Sequence, residues 1–246
     1  MFSRRLKTGY FVVEGLNSFG VVYYFYYFYF FMQRTFGFDN KANLTLAALN
    51  GAVYALGSWW AGRFAQRFGY FTALKVGLFV MLASLGAGSQ LTTAPAHIAV
   101  MLVTVVGMCF TWPALEALVS EGEPAAAGLQ QMIGVYNIVW ASTAAAANFT
   151  GGAMFEHLGA RSLFYVPICI QVTQLLLILW LEKQAHRRMA VAPSCNPSAR
   201  TPGEPETGVQ CRSALRQFGS GCLLKGWRKA LQHQTTERPC GAKKDR

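Results

Sequence analysis

Charge is what this chain has least of. Only 13% of its 246 residues are Asp, Glu, Lys or Arg, against ~25% in an ordinary soluble domain. The shortage is regional: residues 15–33, 42–62, 76–115, 124–155 and 162–181 carry no charge at all. A helix that crosses a bilayer needs about 20 mostly apolar residues. With 53% hydrophobic residues and a mean hydropathy of +0.26, these runs exclude a water-soluble globule and point to a membrane protein. The short alternating segments of a membrane β-barrel are missing too. Helices, which satisfy their own backbone in lipid, are therefore the expected elements.

Other absences narrow the function. There is no Cys-x-x-Cys pair among the six cysteines, so a zinc site is not expected. Cys109 and Cys169 fall in apolar segments, and Cys195, Cys211, Cys222 and Cys240 fall in a polar C-terminal region where a reducing cytosol would keep them as thiols. No nucleophile–base pair, phosphate-binding loop or metal cluster occurs. No catalytic residue, metal or cofactor is therefore assigned, and an enzyme is disfavoured. The first apolar segment has no small-residue cleavage site after its long aromatic core, so it does not read as a signal peptide.

What is present is six apolar segments, at roughly 9–32, 43–63, 72–90, 96–119, 129–153 and 162–182. Residues 1–182 form the expected membrane body, with nine Lys/Arg against seven Asp/Glu. Residues 183–246 carry thirteen against four and read as a basic cytosolic tail with no nucleic-acid partner. The tail is expected to be largely disordered over its proline-rich start, 190–210. Residues 212–231 carry the pattern of an amphipathic helix suited to an anionic lipid surface.

Orientation follows from the basic residues. Arg4, Arg5, Lys7, Arg63, Arg67, Lys75, Lys183, Arg187 and Arg188 would share one side, and Arg34, Lys41 and Arg161 the other. Nine against three places both termini in the cytoplasm of a multi-pass protein of the plasma or inner membrane.

The body carries an internal repeat with an offset of 90 residues. Gly62-Arg-Phe-Ala-Gln-Arg-Phe-Gly69 aligns with Gly152-Ala-Met-Phe-Glu-His-Leu-Gly159, both terminal glycines coinciding. One turn joins the second and third segments and the other joins the fifth and sixth. Three segments separate them, so they would lie on opposite sides of the membrane. This is the signature of an inverted repeat of three plus three helices.

On these residues the chain resembles one half of a major facilitator superfamily transporter. The family's loop signature, G-x-L-a-D-r-x-G-r-r, is similar to the stretch Gly62 to Phe71, with Gly62, Ala65, Arg67 and Gly69 matching. Gln66 stands where an acid is usual, and Tyr70-Phe71 replace the basic pair. The resemblance implies that this turn is part of a conformational latch on the cytosolic side, weakened here by the loss of charge. It also implies an all-α fold of six membrane helices, alternating access, and a small solute moved with or without a coupled proton or cation. A second six-helix unit is implied as well. It would be either a missing C-terminal half, lost by truncation or frameshift, or a second copy in a parallel homodimer. The competing expectation is a non-transporting six-helix protein that binds a partner through its tail.

Several polar residues inside the segments are candidates for solute or proton binding. Glu14 lies inside the first segment, where a carboxylate is costly and faces a cavity or a partner, and Asn17 sits one helical turn on. Tyr136, Asn137 and Trp140 in the fifth segment could line a cavity, with Gln171 and Gln174 of the sixth as weaker candidates. Pro113, which frees a backbone carbonyl, and Glu116 are candidates for gating. His97 and His157 fall in turns, where they are expected to be solvated. The run of Tyr and Phe from Tyr23 to Phe31 covers every face of a helix, so most of it is expected to pack.

Overall fold

The computed structural model describes residues 4–121 and 126–191. They form six helices: α1 (Arg4–Phe36), α2 (Asn40–Phe68), α3 (Tyr70–Gly88), α4 (Ala94–Ser120), α5 (Ala126–Leu158) and α6 (Ser162–Val191). Five of the six apolar segments lie within one helix each, and the third, 72–90, runs two residues past the end of α3 into the following turn. Helix α6 runs on to Val191; the expected tail helix at 212–231 and the rest of 192–246 lie outside the described residues.

The ends of the helices follow local chemistry. Asp39 caps α2, its carboxylate accepting from the Ala42 amide at 2.7 Å and occupying a donor the helix cannot satisfy itself. Pro95 sits in the first turn of α4, where its missing N–H costs nothing. Gly69 closes α2 by donating to the Ala65 carbonyl at 2.9 Å and leads at once into α3. It does so at φ +91° and ψ 150°, a region closed to residues with a Cβ. Gly159, its partner in the 90-residue alignment, is also at positive φ, +79°.

Helices α1 and α4 touch each other at the centre. Helix α1 packs along α5 and α6, α4 packs along α2 and α3, and α3 packs on α6. The α3–α4 crossing is close because Gly77 and Gly107 meet there: a Cβ on Gly77 would stand 2.7 Å from the Gly107 carbonyl oxygen. Ser84 and Thr104 hydrogen-bond across the same crossing at 2.9 Å. The α1–α6 contact is antiparallel, with Gly9 against Leu181, and Gly20 against Ile170. Between these, Gln174 donates to the Val13 carbonyl at 3.1 Å.

The aromatic run of α1 packs as expected. Tyr23, Tyr24, Phe25, Phe28 and Phe31 are buried, while Tyr26 and Phe30 face outward. His97 departs from expectation. It is 2% exposed and its ring sits 5.0 to 5.6 Å from those of Phe31, Phe36 and Phe164. The first turn of α4 tucks beneath the end of α1, so a histidine read as solvated lies in an aromatic box. His157 is exposed.

Helices α3, α4 and α6 are long and apolar enough to cross a membrane on length and composition alone. The outward side chains suit lipid. Leu56, Trp59 and Trp60 of α2, Phe79 of α3, Ile138 and Phe149 of α5, and Leu176 and Trp180 of α6 are each more than half exposed. Apolar side chains facing lipid need no protein cover.

The turn geometry separates the two aligned glycines of the loop signature. Around Gly62 there is open space for a Cβ, whereas Gly69 is conformationally tied. Gly69→Ala is expected to cost about 1–3 kcal/mol, and Gly62→Ala to be neutral or stabilising by up to about 1 kcal/mol. Thermal unfolding of the two variants in detergent checks this; equal melting temperatures would contradict the turn assignment.

Candidate functional site

The polar centre of the molecule is Glu14. It lies on the face of α1 turned towards α4 and α5 and is 0% exposed. Ser18, one turn further along α1, donates to Oε1 at 2.6 Å. Tyr136 of α5 donates to Oε2 at 2.9 Å. The Trp112 indole of α4 also comes close to the carboxylate, without closing a hydrogen bond of good geometry. Three helices thus converge on one carboxylate. Gly15 permits the approach of α5, a Cβ there lying 3.3 Å from the Thr143 methyl.

An aromatic wall extends from this centre. Trp112 meets Tyr54 of α2 edge-on at 5.9 Å and Trp140 of α5 edge-on at 6.4 Å. Trp140 is 40% exposed, so the wall opens outward. Glu116 is one turn past Trp112 on α4 and is exposed. Pro113 lies within α4, which continues unbroken through it.

The expected residues therefore divide. Glu14, Tyr136 and Trp140 gather at one place. Asn137 is on α5 beside them but points outward. Asn17 is 1% exposed and faces elsewhere: the α1–α6 register sets it opposite Gln171 and Gln174, which are 3% and 1% exposed. Both amide atoms of Asn17 and the carbonyl oxygens of the two glutamines lack partners, which leaves a polar seam in the α1–α6 contact. Ser18, Tyr54 and Trp112 were not singled out from the sequence. The four-residue step from Glu14 to Ser18 was readable, whereas nothing local marks Tyr54 or Trp112. Among the described residues no group of three His, Cys, Asp or Glu is placed to hold a metal ion.

At the end of the bundle that carries the Gly62–Gly69 turn, Ala65 is buried, Gln66 is half-buried and Arg67 is exposed, its guanidinium 5.3 Å from the Phe68 ring. Arg63 lies 3.7 Å over the Trp59 ring. Lys75 of α3 is paired with Glu182 of α6, Nζ standing 2.8 and 2.9 Å from the two carboxylate oxygens. This partly buried pair ties the two apolar helices together next to the turn. At the opposite end Arg34 and Glu156 are 3.9 Å apart and both largely exposed, a pair of little energetic weight.

The fold and site together define a helical membrane protein built around a buried carboxylate. Residues 10–231 match the family model of the Major Facilitator Superfamily, so the chain belongs to that superfamily, whose members are membrane transporters of small solutes. The match continues past residue 182, where the apolar segments end. No individual curated protein matches the chain.

Glu121, just past the end of α4, generates a pH dependence. It is partly buried within electrostatic reach of Tyr10 and Tyr70, one carboxylate oxygen lacks a partner, and burial pushes its carboxyl up to about 7 from 4.5. A raised acid disfavours the folded state once ionised. That penalty is absent below the unfolded value near 4.5 and complete above about 7. Glu121→Gln is expected to stabilise the protein more at pH 8 than at pH 5, by up to about 3 kcal/mol. Melting curves at the two pH values check this; the same gain at both would contradict it.

Proposed function

We propose that this chain moves a small solute across the plasma or inner membrane by alternating access, acting as one six-helix unit of a secondary transporter. The observation that carries the reading is the convergence of α1, α4 and α5 on Glu14, a buried carboxylate near the start of the first apolar segment. Such a group is costly in a membrane and is kept where a solute, a proton or a partner charge uses it. Glu14, Asn17, Tyr136, Asn137 and Trp140 are the proposed solute- and proton-binding residues, with Ser18, Tyr54 and Trp112 added.

All six helices are read as spans, with both termini cytoplasmic. The packing supports reading them as an inverted three-plus-three repeat. Exchanging α1 with α4, α2 with α5 and α3 with α6 turns each major helix contact into another one that is present. The proposed second unit, a second copy or a missing half, faces α2 and α5, the helices with the longest exposed faces. The Gly62–Gly69 turn with Gln66 and Arg67 is the proposed cytosolic latch, and Pro113 with Glu116 the proposed gate.

Alternating access is testable without knowing the solute. A single cysteine replacing Asn137, in an otherwise cysteine-free full-length chain, is expected to react with a membrane-impermeant maleimide applied from either side of sealed vesicles. Labelling from one side alone, or from neither, would contradict the proposal.

A further inference from the structure

The aromatic wall beside Glu14 points to the chemistry of what binds there. We infer that the face formed by Tyr54, Trp112, Trp140 and the Glu14 carboxylate recognises a bulky organic monocation, such as an amine carried on an apolar body. This inference rests on the transporter reading for its location.

Beyond Lys7, two turns before Glu14 on α1, the charge on this face has one sign. Helix α1 from Gly9 to Gln33, α2 from Ala42 to Gly62, all of α4 and all of α5 contain no Lys or Arg. Arg63 is engaged with Trp59 towards the far end of α2. The acids that face the wall are Glu14 from α1 and Glu116 from α4, and the remaining titratable neighbours are Tyr54, Tyr136 and Cys109. In a low-dielectric surrounding, an unmatched carboxylate attracts a cation far more strongly than it does in water. Trp and Tyr ring faces add to this through their quadrupoles, about 0.5–2 kcal/mol per ring.

The same arrangement disfavours other solutes. An alkali-metal ion needs a shell of oxygen ligands, and Tyr54, Trp112 and Trp140 offer mainly carbon. A polyol needs several free hydrogen-bonding groups, yet Ser18 and Tyr136 are occupied by Glu14, and the unpartnered Trp112 indole N–H alone does not supply them. An anion meets only like charge. Because both carboxylate oxygens are engaged, the cation is held by the field of Glu14 acting across the rings and not by a direct ion pair. Trp140, 40% exposed, and the part-buried Tyr54 and Trp112 leave the ring surface reachable.

The test uses the full chain in lipid nanodiscs, with empty nanodiscs subtracted. Tetraphenylphosphonium is the probe cation and tetraphenylborate its anion of matching shape. The cation is expected to bind saturably and the anion not to bind. Trp112→Leu and Glu14→Gln are each expected to weaken cation binding about tenfold or more. Trp112→Tyr, which keeps a ring, is expected to retain most of the affinity and guards against a simple folding defect. Trp59→Leu, whose ring packs under Arg63 and not in the wall, is expected to bind as the unaltered chain does. Equal binding of the two probe ions, or unchanged affinity in both Trp112→Leu and Glu14→Gln, would overturn the inference. Cation binding without two-sided labelling at position 137 would leave the inference standing and remove the transport reading. Two-sided labelling without cation binding would do the reverse.

Discussion

A carboxylate in the interior of a lipid-facing bundle must be answered by hydrogen bonds, and that constraint organises this molecule. Glu14 is answered by Ser18 within α1 and by Tyr136 from α5. The second contact spans 122 residues of sequence and fixes α1 and α5 side by side. A hydrogen bond to a charged group contributes about 1.5–3 kcal/mol, and leaving such a group unanswered costs more. In lipid, where burial of apolar surface between helices gives little drive, one such contact has a large influence on which helices pair. Trp112, Tyr54 and Trp140 then collect around the same point, and the exposed edge of that cluster is where the proposed solute would meet it.

The six helices are unequal in a way that fits this arrangement. Helices α3, α4 and α6 each hold an apolar stretch long enough for a span, and the Lys75–Glu182 pair and the Gly77–Gly107 crossing join α3 to its neighbours on both sides. Helices α1, α2 and α5 carry the polar residues and the larger exposed faces, and fall short of the apolarity that marks a span on composition alone. A polar residue in a helix that works at a site lowers its mean hydropathy. Two of the three helices that build the candidate site, α1 and α5, depart from an ideal membrane helix, while the third, α4, does not.

The helices were legible in the sequence because charge-free runs of membrane length leave few alternatives. The Gly69 turn was legible because the glycine has a conformational duty, repeated at Gly159. Family membership followed from the same stretch. The site was only half legible. Glu14 stood out as a charge where charge is expensive, and Tyr136 as one polar group among many on α5. Their contact could not be read, since no local pattern links residues that far apart. Asn17 illustrates the limit. Its three-residue spacing from Glu14 suggested a shared face, yet that spacing also turns a side chain by some 60°, enough to set it against α6. His97 failed for the same reason: its burial is decided by Phe31, Phe36 and Phe164, which arrive from two other helices.

The central claim is that the Glu14–Tyr136 contact holds the site together. A double-mutant cycle on thermal stability measures it most directly, using Glu14→Gln, Tyr136→Phe and the pair in the full chain. The account predicts a coupling energy of about 1–3 kcal/mol, the double variant losing less than the two single losses combined. Strict additivity of the two losses would contradict it.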